Sequence, residues 1–123
     1  MTASNTPRFA SVALDTPDPA ALAAFYSRLL DWPLAPDDGD DEWVNLRAPG
    51  GGTQLAFQRA ADFVAPTWPR PDVPQQLHID FEVDDLDAAH ERAVALGARH
   101  LDTQESFRVY ADPAGHPFCL CRE

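Results

Sequence analysis

The chain is predicted to fold as an α+β domain. Two βαβββ modules in tandem would form a curved, cup-shaped mixed sheet with helices on its outer face. Three observations predict this. First, the sequence repeats: Ser-Val-Ala-Leu-Asp-Thr-Pro-Asp begins at Ser11, and His-Ile-Asp-Phe-Glu-Val-Asp-Asp begins at His78, 67 residues later in a chain of 123. A repeat at just over half the length signals two copies of one unit. Second, each copy runs into an Ala/Leu-rich stretch with helical apolar spacing. Third, the segments around these stretches alternate between large apolar and small or polar residues, the period of a half-buried strand.

Residues 9–15 alternate and read as the first strand. Asp18 is placed to cap a helix, with Pro19 at its first turn. Leu22, Phe25, Tyr26, Leu29 and Leu30 then recur at i, i+3, i+4, i+7 and i+8, one apolar stripe. Pro33 and Pro36 end the helix and permit only a short, edge-like strand. Residues 42–48 and 53–59 read as two strands joined by Pro49-Gly50-Gly51-Gly52, a hairpin signal. Pro66, Pro69, Pro71 and Pro74 stiffen the stretch 61–75, which reads as the linker between modules and carries Trp68. Trp68 there is either a lid over a pocket or a plug over the core.

The second module repeats the plan. Residues 77–83 read as a strand, and Asp85 caps a helix with Leu86, Ala89, Ala93 and Leu96 inward, closed by Gly97. Residues 99–103 read as a weak strand. Residues 107–111 and 117–122 read as a hairpin across Asp112-Pro113-Ala114-Gly115, with Pro and Gly where a type I turn wants them. The chain is thus one domain, residues 1–123, with modules at about 7–60 and 76–123.

Nine basic and 20 acidic residues give a net charge of −11. That charge repels phosphate backbones, so no nucleic-acid partner is expected. It would favour a cationic ligand if acids line a pocket, and otherwise keeps the chain soluble. No apolar run approaches a membrane span and the N-terminus shows no hydrophobic signal region, so a cytoplasmic protein without membrane contact is expected. Cys119 and Cys121 sit two apart on one strand face, poorly placed to bridge, and read as reduced thiols.

Strand parity sorts the residues into two sets. Val12, Leu14, Leu55, Phe57, Ile79, Phe81, Phe118 and Leu120 form an apolar floor for the helices. Ser11, Ala13, Asp15, Gln54, Ala56, Gln58, His78, Asp80, Glu82, Cys119 and Cys121 form the opposite set, small or polar on all four strands. Small residues leave space, as in a cup that shows its polar side to a ligand. His78 lies in this set beside Asp80 and Glu82, where a carboxylate would orient its ring, and is the candidate general base. Trp43, Asn45 and Arg47 share one parity, and Arg108 and Tyr110 another. Either group lines the cavity or faces away, and Trp43 and Tyr110 are the candidates for ligand contact.

These residues resemble the vicinal-oxygen-chelate superfamily: glyoxalase I, bleomycin-resistance proteins and extradiol dioxygenases. The resemblance spans nearly the whole chain. It is carried by Val12-Ala-Leu-Asp-Thr-Pro-Asp with Phe25-Tyr26 and Leu29-Leu30, by the segment from Leu77 through Asp80 to Ala89, by Leu96-Gly97-Ala98, and by Tyr110-Ala-Asp-Pro-Ala-Gly-His-Pro-Phe-Cys-Leu. The glyoxalase-like branch is the nearest in look. The resemblance implies four site positions, Ser11, Gln54, His78 and Cys119. Metal-using members hold His or Glu there, and this chain keeps only His78 in that form. It implies no cofactor, with a loosely held divalent ion on His78 and Cys119 as the exception. It further implies a homodimer.

Two functions follow. One is a protein that binds a small metabolite or drug, with a cation as one candidate, through Ser11, Gln54, His78, Asp80, Cys119, Trp43 and Tyr110 and without a full metal centre. The other is a lyase, isomerase or dioxygenase acting on a small oxygenated metabolite, with His78 as base and Gln54 and Tyr110 orienting an oxygen. A blander third reading is an interaction module whose cup is vestigial.

Overall fold

The computed structural model describes residue 5 and residues 7–122. Most of the N-terminal segment, expected to hold no signal region, lies outside them. The elements run β1 (Ser11–Thr16), α1 (Pro19–Leu30), β2 (Trp43–Leu46), β3 (Gln54–Arg59), β4 (Ile79–Glu82), α2 (Leu86–Ala95), β5 (Arg99–Thr103), β6 (Phe107–Ala111) and β7 (Pro117–Cys121).

Both helices start where their caps dictate. The Asp18 carboxylate accepts from the Ala21 N–H at 3.1 Å, ahead of Pro19. The Asp85 carboxylate accepts from Asp87 and Ala88 at 3.0 and 3.1 Å. Each cap satisfies backbone donors that the first helical turn leaves free. Asp31 stops α1 in the left-handed region at φ 57°, and Gly97 follows α2 at φ 113°.

Hydrogen bonding divides the strands into two sheets, ordered β1-β3-β2 and β4-β7-β6-β5. In each module the first strand pairs parallel with the last, β1 with β3 and β4 with β7. That pairing needs a crossover, and the helix supplies it. The remaining pairs are antiparallel, with a register shift between His100 and Asp102 on β5. The short edge strand allowed after Pro33 is reduced to a single bridge, Gly39 with Val44. Pro33 and Pro36 carry no N–H to donate to a ladder. At the bridge the chains come so close that a Cβ on Gly39 would lie 2.6 Å from the Trp43 carbonyl oxygen.

The core is continuous across both modules. Leu14, Leu22, Phe25, Tyr26, Phe57, Phe118 and Leu120 are all buried in one cluster. Tyr26 stacks on Phe57 at 5.8 Å and meets Phe118 edge-on at 6.2 Å, while Phe25 lies 6.0 Å from Phe118. Helix α1 therefore packs against strands of both sheets. Two polar staples reinforce it: the Tyr26 hydroxyl donates to the Asp112 carboxylate at 2.7 Å, and the His116 Nε2–H donates to the Asp15 carbonyl at 2.6 Å. No helix among the described residues is long and apolar enough to cross a membrane.

Candidate functional site

The opposite faces of the sheets are assembled by register. Ser11 pairs with Gln54, Ala13 with Ala56 and Asp15 with Gln58. Asp80 pairs with Cys119 and Glu82 with Cys121. Paired residues project to the same side of a sheet. Ser11, Ala13, Asp15, His78, Asp80 and Glu82 are all exposed, whereas Leu14, Phe57, Phe118 and Leu120 on the other side are buried beneath the helices.

His78, Asp80 and Cys119 come together. The His78 Nε2 lies 3.3 Å from an Asp80 carboxylate oxygen, and one donor atom from each of the three residues lies within 4.8 Å of the others. His78 stands just ahead of β4, its side chain 43% exposed and not wedged under a helix. Burial pushes the Cys119 thiol up to about 12, and the neighbouring Asp80 carboxylate adds to the shift by opposing a second negative charge. Cys121 is raised too, by burial first, then Asp80 and Glu82. Both cysteines are free thiols.

A divalent ion fits this donor set in kind. Imidazole, carboxylate and thiolate are zinc ligands, and a cation would reverse the penalty that now keeps the Cys119 thiol neutral. Ser11 and Gln54, the other two positions implied by the resemblance, would add only neutral oxygens. They sit side by side on β1 and β3, and among the described residues no hydrogen bond or ion pair joins them to the His78 cluster.

Trp43 shares the polar face, since it pairs with Gln58, and its indole N–H donates to the Asn45 side chain at 2.8 Å. Arg47 is held by Asp38 at 2.7 Å, which keeps the Asp38 carboxyl below its ordinary range. Tyr110 does not join the polar face. It pairs with Phe118, stacks on that ring at 5.4 Å, is fully buried, and shares a 2.7 Å hydrogen bond with His90 Nδ1. Burial raises its hydroxyl above the usual value. The ligand contact expected of Tyr110 is thus replaced by a place in the core beside α2. Its neighbours Val109 and Phe107, opposite Cys119 and Cys121, take the polar face instead. Alternation within β6 does not mark Phe107 as a polar-face residue; its cross-strand register with Cys121 does.

The Pro-rich linker roofs a hollow of about 310 Å³ against the β1 face. Ala13, Asp15, Phe63, Pro66, Leu77 and His116 line it, among others, and none of the seven candidate residues does. Trp68 is half-buried and lies outside the lining. The largely apolar hollow offers volume, whereas the polar chemistry lies on the strand faces, which carry the stronger functional signal because their donors and acceptors converge.

A family model described as a glyoxalase-like domain matches residues 11–121. Among solved structures, a glyoxalase/bleomycin resistance protein/dioxygenase family enzyme from Burkholderia phytofirmans PsJN superposes with a TM-score of 0.72 at 18% identity, covering 92% of this chain and 96% of that one. A glyoxalase/dioxygenase from Nostoc punctiforme gives 0.70 at 18% identity, covering 100% and 98%. TnmS3, an antibiotic binding protein from Streptomyces sp. CB03234, gives 0.63 at 19% identity, covering 98% of each chain. No curated protein sequence matches the chain.

Proposed function

The chain belongs to the glyoxalase-like domain family, and on that premise we propose that it binds a small metabolite or drug on the polar face of its sheets, without a full metal centre. The observation that carries this reading is the composition of that face. Exposed small residues, Ser11 and Ala13, lie beside an amide, Gln54, while an imidazole, a carboxylate and a thiol converge at His78, Asp80 and Cys119. The thiol is neutral at physiological pH, so the cluster offers hydrogen-bonding groups and a carboxyl rather than a thiolate. Such a face suits a ligand that is polar, and cationic in part, given the net charge of −11. The likeness to an antibiotic binding protein supports a binding role in the same fold. Free thiols support a reducing, cytoplasmic setting, and the open sheet edges support a homodimer.

Thermal shift and calorimetry across a panel of metabolites and drugs test the reading. Binding that weakens at least tenfold in His78→Ala or Asp80→Asn is expected. A panel without a single binder, or binders indifferent to both substitutions, overturns it. Light scattering at micromolar concentration tests the dimer, and a monomer mass refutes it.

One observation favours a second reading as a lyase, isomerase or dioxygenase. Three ligand-type atoms already stand within 4.8 Å, with the imidazole beside a carboxylate. His78, Asp80 and Cys119 would hold a divalent ion, which would supply polarisation of a substrate oxygen; otherwise His78 would move a proton, positioned by Asp80. Elemental analysis of protein purified without added metal discriminates. Stoichiometric zinc, iron, nickel or manganese, lost in Cys119→Ala, favours this second reading over the first.

A further inference from the structure

Cross-strand register sets up the same arrangement twice. Asp15 on β1 pairs with Gln58 on β3, which pairs with Trp43 on β2. Glu82 on β4 pairs with Cys121 on β7, which pairs with Phe107 on β6. Each sheet thus carries a three-strand row on its polar face: an acid, a central polar residue and an aromatic ring. The rows occupy equivalent places, with the acid on the strand that enters the helix and the ring two strands away. At about 4.8 Å per strand, acid and ring stand about 10 Å apart.

At the ends of each row the ring stays uncovered and, among the described residues, the carboxylate lacks a side-chain partner. Trp43 is 37% exposed and Phe107 36%, and among the described residues no other strand residue is large, apolar and so exposed. The Asn45 bond anchors the Trp43 ring without covering it. Phe107 has no polar atom to gain from water. Asp15 and Glu82 are exposed, and among the described residues neither carboxylate takes part in an ion pair or accepts a side-chain hydrogen bond. Exposed carboxylates are ordinary and a lone exposed ring is common. Their coincidence in one row, repeated at the equivalent register, is not.

We propose that the two rows are paired subsites for a planar aromatic organic cation. The ring stacks on Trp43 or Phe107, and the cationic group lies toward Asp15 or Glu82. This rests on the reading that the polar face binds a small molecule, and narrows its class. Stacking and cation–π attraction supply the ring contact, and the unneutralised carboxylate supplies the sign selection. A second copy of the chain is the poorer occupant, since it brings another −11 of charge to acids already unpaired.

The test titrates proflavine, a planar aromatic monocation, into the full chain by calorimetry. Pyrenesulfonate serves as aromatic anion and tetraethylammonium as cation without a ring. Proflavine is expected to bind, pyrenesulfonate not at all, and tetraethylammonium at least tenfold more weakly. Two proflavine sites are expected, and Trp43→Leu and Phe107→Leu should each weaken one of them about tenfold while leaving the other. Asp15→Asn and Glu82→Gln, near-isosteric and exposed, should each weaken the site of its own row severalfold and flatten that site's salt dependence, which keeps the test informative if a ring substitution unfolds the chain. Proflavine affinity unchanged in all four variants, or equal binding of the anion, overturns the proposal. Substitutions that change the mass by light scattering but leave proflavine binding intact assign the face to contact between copies and overturn it as well. If proflavine fails while another small molecule binds and is lost in Asp80→Asn, the rows fall and the reading of the polar face stands. If no molecule of any class binds, that reading falls with them.

Discussion

Removing the Tyr26 hydroxyl tests how the two modules are held together. In Tyr26→Phe the ring keeps its packing against Phe57 and Phe118, so almost no cavity forms, and the loss is confined to the 2.7 Å hydrogen bond to Asp112. That carboxylate is buried, and its other oxygen accepts from the N–H groups of Ala114, Gly115 and His116 at 2.9 to 3.0 Å. A buried hydrogen bond to a charged acceptor contributes about 1.5–3 kcal/mol, and a neutral one about 0.5–1.5 kcal/mol. Burial raises the Asp112 carboxyl above its ordinary range, against the opposing pull of the Tyr26 bond. Tyr26 itself is raised well above its usual value by burial and by Asp112, so it stays a neutral donor. The sign follows from linkage. A carboxyl that is harder to ionise when folded favours the folded state fully below the ordinary carboxylate range, and that contribution is lost as pH rises through the folded value. Deleting the donor raises that value further, so the substitution costs more at neutral than at acid pH. The expected loss is about 1.5–3 kcal/mol at neutral pH, or about 6–12 °C in Tm for a chain of this size, shrinking toward about 1 kcal/mol at acid pH below the ordinary carboxylate range. Urea unfolding followed by circular dichroism at both pH values measures it. A loss under about 0.5 kcal/mol, or one that grows toward acid, refutes the reasoning.

Three further substitutions probe separate parts of the argument. Gly115→Ala should destabilise by at least about 1–3 kcal/mol, because Gly115 sits at φ 101° and a Cβ there would lie 2.5 Å from that of Ala65; Ala65→Gly in the same chain should recover the clash but not the backbone strain, so full recovery in thermal unfolding contradicts the assignment. Phe118→Ala, at the centre of the aromatic cluster, should cost about 3–5 kcal/mol by denaturant unfolding, and a loss below about 1 kcal/mol would mean that the modules pack without it. Asp80→Asn removes a negative charge beside both thiols, so the pH at which Cys119 reacts with iodoacetamide should move down from about 12 while staying above that of a free thiol, because burial is the larger cause; an unchanged profile in mass-mapped alkylation removes Asp80 from the cluster.

What the sequence makes legible follows how local each signal is. The caps at Asp18 and Asp85, the stripe through Leu22, Phe25 and Tyr26, and the bounds of β5 and β6 rest on residues within a turn or two, and the structure has them in place. The face assignment of β1, β3, β4 and β7 was also legible, because those strands alternate without interruption. Tyr110 was not. Phe107, Val109, Tyr110 and Ala111 are nearly all apolar, so β6 has no parity to read, and only pairing with Phe118 assigns Tyr110 to the core. Tyr26 reads as one more apolar stripe residue and Asp112 as a turn residue; their bond joins positions 86 apart, beyond any local pattern.

The candidate cluster shows the same limit in a sharper form. The repeat aligns Ser11 with His78, and the resemblance then suggests that Gln54 and Cys119 are equivalent as well. Register says otherwise. Ser11 pairs with Gln54, but Cys119 pairs with Asp80, one pleat further along, so its counterpart in the first sheet is Ala56, the partner of Ala13. The path from first to last strand is shorter in the second module: 43 residues separate Ser11 from Gln54, against 39 between Ile79 and Phe118. Matching the first strands of the repeat therefore does not match the last ones. The consequence is chemical. Cys119 is buried and opposite Asp80, so the thiol stays protonated, and three unlike polar groups meet inside one module while the equivalent place in the other holds a serine and two alanines. The halves share a fold and a row of acid and ring at one end, yet among the described residues only the second gathers imidazole, carboxylate and thiol in one place, so chemistry that needs that cluster is confined to one module.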